Sequence, residues 1–308
     1  MSPARIFPSL LIPALAAQLS GCVGSDDDPS QVHDLRVLGM SFESPELMAA
    51  DCNGGASALE FAAPVTFTAL IADPRGNGRP LSFELLACGS PVDDRTCSID
   101  ADRVRLAEGN TAAGELTLAL RPGLALVRDG SLLLQRVVDL DAYHGLGGIR
   151  IPLVLHLRGD AENVYAQKLM VFNCKRFASM KPNITPRLPG LQLDGQAWGE
   201  SEVRVLQGDR NHKLQPDDFS ALEEDYVVPG YDLREVHLKE SWKISWHVDL
   251  GKISPTETGG VDLGGQESRH LVEWSPGVSE RRDVQFWVVV RDGRGGESWL
   301  KRRVSYLP

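Results

Sequence analysis

Period-two alternation of apolar and polar residues dominates this chain. From Pro64 to Asp73, Val65, Phe67, Ala69 and Ile71 fall on one face and Thr66 and Thr68 on the other, as a half-buried strand requires. Pro74, Gly76 and Gly78 turn the chain, and Leu81 to Ala87 returns at hairpin distance. Leu116, Leu118 and Leu120 alternate with Glu115, Thr117 and Arg121 in a further strand. Ile151, Leu153, Leu155 and Leu157 oppose Arg150, His156 and Arg158, and Tyr165 to Asn173 returns beside them after the Gly159-Asp160 turn. Pro152 has no N–H to donate and belongs at an edge or a strand start. One helix is expected, capped by Ser131, with Leu133, Val137 and Leu140 on a shared face and Gly145 at its end.

Three prolines and a glycine between Lys181 and Gly190 mark a linker. Beyond it, Val236 and Leu238 alternate with His237 and Lys239, and Trp242, Ile244, Trp246 and Val248 alternate with Lys243, Ser245, His247 and Asp249. Val284 to Val290 is apolar on both faces, the mark of a central strand, and Asp292-Gly293-Arg294-Gly295-Gly296 turns it into Trp299 to Leu307. Arg210 to Val228 has no clear period and reads as a long acidic loop or insertion. All six tryptophans follow the linker, which argues for separate cores in the two halves. The expected fold is all-β, with two tandem β-sandwiches at 32–180 and 191–308 joined by the linker 181–190.

The 308 residues suffice for two domains, and 42% hydrophobic with 24% charged residues excludes wholesale disorder and a polytopic membrane protein. A net charge of -10 and a pI near 5.2 speak against nucleic acid as a partner.

The N-terminus has one basic residue, Arg5, then a mostly apolar stretch from Ile6 to Leu19, then small residues, the layout of a secretory signal over 1–21. It is short for a membrane span, and Pro8 and Pro13 interrupt it. Leu19, Ser20, Gly21 and Cys22 resemble the lipobox of bacterial lipoproteins. That resemblance implies cleavage between Gly21 and Cys22, diacylglycerol on the Cys22 thiol, and a stable anchor once several acyl chains are present. Residues 22–31, with Asp26, Asp27 and Asp28, read as the lipidated cysteine and an acidic tether. Three adjacent aspartates in such a segment do not make the six to eight oxygen ligands that calcium needs.

Five cysteines leave an odd one unless Cys22 carries lipid. Cys52, Cys88, Cys97 and Cys174 then make two disulfides, which suits an oxidising envelope and allows three connectivities. The short separation of Cys88 from Cys97 favours that pair and leaves Cys52 with Cys174. Zinc is disfavoured, because no CxxC is present and no histidine lies at finger spacing from a cysteine.

Val288, Val290, Asp292, Gly295 and Gly296 resemble the closing hairpin of PKD-type and bacterial immunoglobulin-like domains, and Ser245-Trp246 leading to Gly251 resembles their core-tryptophan strand. Val65, Phe67, Ala69, Asp73, Pro74 and Gly76, followed by Leu81 and Phe83, resemble the paired strands of that family, with Leu85 where tryptophan is common. As a whole the chain is similar to envelope lipoproteins of myxobacterial type, which implies a lipid-anchored location in the bacterial cell envelope, at the outer membrane. No cofactor other than the covalent lipid on Cys22 is implied.

Signals for chemistry are sparse. No serine has glycine two residues to either side, and neither HExxH nor a phosphate-binding loop is present. Asp209-Arg210-Asn211 begins like a calcium loop, but Lys213 and Leu214 stand where ligands and the turn glycine belong. The seven histidines are scattered and read as solvated. Asp217 with Asp218, and Glu223 with Glu224, are sequence neighbours and do not set the separation that glycoside hydrolysis needs. Trp242, Trp246 and Trp274 share strands with aliphatic residues and read first as core; exposed, they would form a platform for a sugar. The sequence therefore points to a non-enzymatic, membrane-anchored lipoprotein that displays protein-interaction surfaces to an envelope partner. The alternative is a carbohydrate-binding module that takes a glycan on those tryptophans.

Overall fold

The computed structural model describes residues 28–52, 61–93, 95–143, 145–160, 162–208, 210–260, 270–277 and 280–308. Gly21, Cys22, the acidic residues up to Asp27 and Asp209 lie outside the described residues.

The first half runs β1 (Arg36–Phe42), β2 (Glu46–Ala49), β3 (Val65–Ala72), β4 (Leu81–Cys88), a small pair β5 (Val92–Asp93) and β6 (Thr96–Cys97), then β7 (Arg103–Thr111) and β8 (Gly114–Leu120). Helix α1 (Leu133–Leu140), β9 (Ile149–Arg158) and β10 (Asn163–Cys174) complete it. One sheet has the order β1-β3-β8 and faces a second of order β2-β10-β9-β4-β7. The inward residues Val65, Phe67, Ala69 and Ile71 meet Leu81, Leu85, Leu153 and Leu155 in the core between them. Pro152 sits inside β9, one residue before Leu153, at which the pairing with β4 stops, so its missing N–H breaks no bond on that side.

The helix differs from expectation at both ends. Ser131 is drawn into a turn, its hydroxyl donating to Asp129 Oδ1 at 2.6 Å, so Leu132 becomes the N-cap and provides no side-chain bond. The helix stops at Leu140, and Gly145 belongs to the turns that follow.

The second half comprises β11 (Leu191–Leu193), β12 (Gln196–Trp198), β13 (Val203–Gln207), β14 (His212–Pro216), β15 (Asp225–Pro229) and β16 (Glu235–Lys239). It continues with β17 (Lys243–Val248), β18 (Lys252–Ser254), β19 (Glu257–Gly259), β20 (Val272–Ser275), β21 (Arg282–Arg291) and β22 (Glu297–Leu307). Its sheets are β12-β11-β14-β20-β18 and β13-β22-β21-β17-β19, with β15-β16 as a separate ribbon. The stretch expected to be a loop thus contains β14 and β15. Its alternation is disguised because an inward position of β14 is His212, which is buried and bonded through Nδ1 to Asp194 at 2.8 Å.

The two halves share a plan. In each, an early strand pairs in parallel with the last one, β2 with β10 and β13 with β22. They differ between the strands that follow: β3 reaches β4 by a short turn, whereas β14 reaches β17 through the inserted ribbon.

The halves lie face to face. Val284, Phe286, Val288 and Val290 point into the second core, while Trp287 and Val289 on the opposite face of β21 meet Val32, Leu38, Leu70 and Ala72. That contact is why Val284 to Val290 is apolar on both sides. The segment 181–190 has no regular structure but is inlaid between the halves. Asn183 N donates to Glu46 Oε2 at 2.9 Å and Asn183 Nδ2 to Asp292 Oδ2 at 2.8 Å.

The tether expectation needs correction at its end. β19 stops pairing with β17 at Ser245, which leaves the edge open at Val248, and the chain from Ser30 to Val32 fills it. Val248 N donates to Ser30 O and Val32 N to Val248 O, both at 2.8 Å, and Gln31 Nε2 donates to Gly251 O at 2.8 Å. Ser30 and Val32 are fully buried, so this part of 22–31 is bolted down.

Candidate functional site

Two disulfides are present, Cys52–Cys174 with Cα atoms 5.0 Å apart and Cys88–Cys97 at 5.3 Å, the pairing that the spacing favours. The first fastens the chain after β2 to the end of β10, and the second holds the β5–β6 turn against β4. Among the described residues no group of three or more His, Cys, Asp or Glu is placed to hold a metal.

The tryptophan platform is not formed. Trp242, Trp246 and Trp274 are 3%, 1% and 0% exposed, because their inward alternation places them in the second core. Trp274 packs edge-on against Phe286 and Tyr306, and Trp242 stacks on Phe219 with ring centroids 5.2 Å apart. The indole N–H groups are also engaged: Trp246 with Thr258 Oγ1, Trp274 with Leu250 O, Trp242 with Glu240 Oε2. No face remains for a sugar.

The histidines are less solvated than their scatter implied. His156 is buried and stacks on Tyr165 at 4.1 Å, and His212 is buried against Asp194. His247 lies against Pro29 O, and burial pushes it down to about 4. Among the described strand residues, His237 is the histidine that stays open to solvent.

The neighbouring carboxylates do structural work. Asp217 Oδ1 accepts from Gln192, Asp218 Oδ1 from Ser220 N, and Glu223 Oε1 from Trp242 N. They line a cleft of about 340 Å³ together with Trp242 and His270, but each faces a partner of its own fold. Glu224 joins a larger cluster around Arg294, in the β21–β22 turn. Arg294 pairs with Glu240 Oε1 at 2.9 Å, Glu224 Oε2 at 3.4 Å and Glu46 Oε2 at 3.6 Å, and lies 4.1 Å over the Tyr226 ring. Asp292 beside it accepts from the main-chain N–H groups of Arg294 and Gly296. Burial pushes Asp292 up, and burial with the Glu240 charge pushes Glu224 up. This clasp joins the first half, the inlaid segment, the last hairpin and the base of the ribbon. Its members face one another, and together they hold the base of the ribbon.

What it positions is apolar and open. Tyr231 at the ribbon tip is 88% exposed and Leu233 60%, with Val236 and Leu238 on β16 also exposed. Water does not reward such exposure, so a clustered apolar tip on a fixed base is a candidate contact surface. The alternation of Val236 and Leu238 was legible in sequence. That their face has no core to cover was not, nor was the role of Tyr231 and Leu233.

No protein-family model matches the chain, and no curated protein matches it. Among solved structures it is similar to red sea bream transglutaminase (10% identity, TM-score 0.23, over 89% of this chain and 32% of that one). It is also similar to DIP-gamma IG1+IG2 (7%, 0.20, over 89% and 98%) and to chicken CNTN1 FN1-FN3 domains (6%, 0.23, over 91% and 69%). The chain spans about a third of the transglutaminase. Likeness at this level carries no argument about activity, and the all-β architecture rests on the sheets of the chain itself.

Proposed function

We propose that this chain is a non-catalytic envelope lipoprotein, anchored through Cys22, that displays the β15–β16 ribbon to a partner protein. The observation that carries the reading is the exposed apolar tip, Tyr231 and Leu233, on a base clamped by Arg294. The anchor rests on the lipobox resemblance and on the cysteine count, which leaves Cys22 over once two disulfides have formed.

The bolted N-terminal segment adds a geometric constraint. Six peptide steps separate Cys22 from Asp28, a reach of about 20 Å at full extension. The segment docks beside Val248, and the ribbon leaves beside Lys243, at the other end of β17. An acylated Cys22 thus holds the Val248 end near the bilayer and leaves the ribbon at the end away from that attachment.

Mass spectrometry of the native protein tests the anchor; a mature chain beginning at acylated Cys22 is expected, and an unmodified Met1 overturns it. For display, a Tyr231→Ser/Leu233→Ser variant is expected to keep the wild-type melting temperature and lose a discrete crosslinked partner in intact envelopes. An unchanged crosslinking pattern removes the ribbon from the proposal.

A further inference from the structure

The contact between the halves is sealed along only part of its length. On the outer face of β3, Leu70 and Ala72 are buried against Trp287 and Val289, but Thr66 and Thr68 at the other end of the same face are not. There the halves part around a cleft of about 500 Å³, walled by β1, β3, β8, the inlaid segment and β22. That volume lies in the range of small-ligand pockets.

Its lining is polar and held in place. The Trp299 indole crosses from β22 to the first half, its N–H donating to Glu115 Oε1 at 3.1 Å, and Glu115 also takes Lys301 Nζ at 2.8 Å. Hydrogen bonding to Lys301 holds the Glu115 carboxyl below its ordinary value, so this pair is ionised and internally neutral. Gly39 on β1 makes room for the indole, since a Cβ there would come within 3.0 Å of its ring. The Thr66 hydroxyl donates to Glu43 Oε2 at 2.9 Å, and Thr185 donates to the main-chain oxygens of Phe42 and Glu43. Two polar groups in the lining have no hydrogen bond or ion pair among the described residues: the Thr68 hydroxyl and the Arg187 guanidinium.

From this lining we infer a saccharide site between the two halves, distinct from the tryptophans that the sequence offered, with a neutral oligosaccharide as its ligand. A sugar ring presents apolar C–H faces to an aromatic ring and hydroxyls that both donate and accept. Here it would meet the Trp299 indole, the carboxylate of Glu43 as acceptor, and the open donors of Arg187 and Thr68. The charges decide between sugar classes. Glu43 and Glu115 equal Arg187 and Lys301 in number, with only Glu115 and Lys301 in contact, so the wall has no surplus positive charge for a uronate or a phosphate. This site does not depend on the anchor or on the ribbon.

The test is isothermal titration of the full chain in detergent with cellotriose, maltotriose and chitotriose, with trigalacturonate as the anionic comparison. At least one neutral trisaccharide is expected to bind saturably and more tightly than trigalacturonate. Arg187→Ala and Thr68→Val are each expected to weaken it about tenfold with an unchanged melting temperature, because neither side chain has a partner among the described residues. Trp299→Phe serves as the second aromatic probe, expected to weaken binding while retaining a ring on the face of Gly39. Absence of saturable binding to all three neutral sugars overturns the inference, as does tighter binding of trigalacturonate or indifference of the affinity to Arg187→Ala.

Discussion

His247 and Asp249, two residues apart at the end of β17, show how burial sets the charge of single groups. Burial pushes His247 down to about 4 and Asp249 up to about 6. A histidine lowered in the fold contributes stability that is present above its unfolded value of about 6.5 and is lost as pH falls through about 4. An aspartate raised in the fold contributes stability that is full below its unfolded value of about 3.9 and is lost as pH rises through about 6. The two trends oppose each other between those limits. Urea midpoints measured from pH 4 to 7 are therefore expected to shift in favour of Asp249→Asn, relative to wild type, as pH rises. Asn keeps an oxygen to accept from Gln285 N, as Asp249 does at 2.9 Å, so the charge alone is removed. A difference independent of pH would show that burial does not raise Asp249 in the fold.

The disulfides and the ribbon belong to the scale of elements. Cys52–Cys174 spans 122 residues and Cys88–Cys97 spans 9, so loop-closure entropy ranks them at about 5 and about 2.5 kcal/mol. Chemical denaturation of Cys52→Ala/Cys174→Ala is expected to show the larger loss, and equal losses would mean that the unfolded chain is already compact near β2 and β10. Element identity was legible wherever one face was apolar: β3, β4, β9, β10, β21 and β22 follow their alternation to within two residues at either end. It was illegible where a polar side chain points inward, as His212 does in β14, whereas in β16 the strand was legible and only the outward direction of its apolar face was not. Periodicity reports which residues share a face, and says nothing of what covers that face.

Across the whole molecule, the covering of β21 by Trp287 and Val289 against Leu38, Leu70 and Ala72 makes the halves interdependent. The fragment 191–308 would expose that apolar face and leave the edge of β17 unpaired at Val248, two features that promote association. Size-exclusion chromatography is expected to show this fragment self-associating while the mature-length chain does not; a well-behaved monomeric fragment would mean that the contact contributes little. The same contact explains what the sequence missed in the candidate sites. Trp299 and Arg187 are far apart in the chain and carry no motif, and they line a common cleft only because the two halves come together there.

The amino-acid sequence by itself determined the strands with a clean apolar alternation, the turns beside them, the separation of two apolar clusters and the cysteines that pair, since each follows from local spacing and side-chain character. Only the tertiary structure decided that the tryptophans of the second half are enclosed, that the segment after the acidic run is bolted to β17, and that the ribbon stands open. Those outcomes depend on which outer faces meet, and that is set by the summed contact of residues distant in the chain, on which the local pattern is silent.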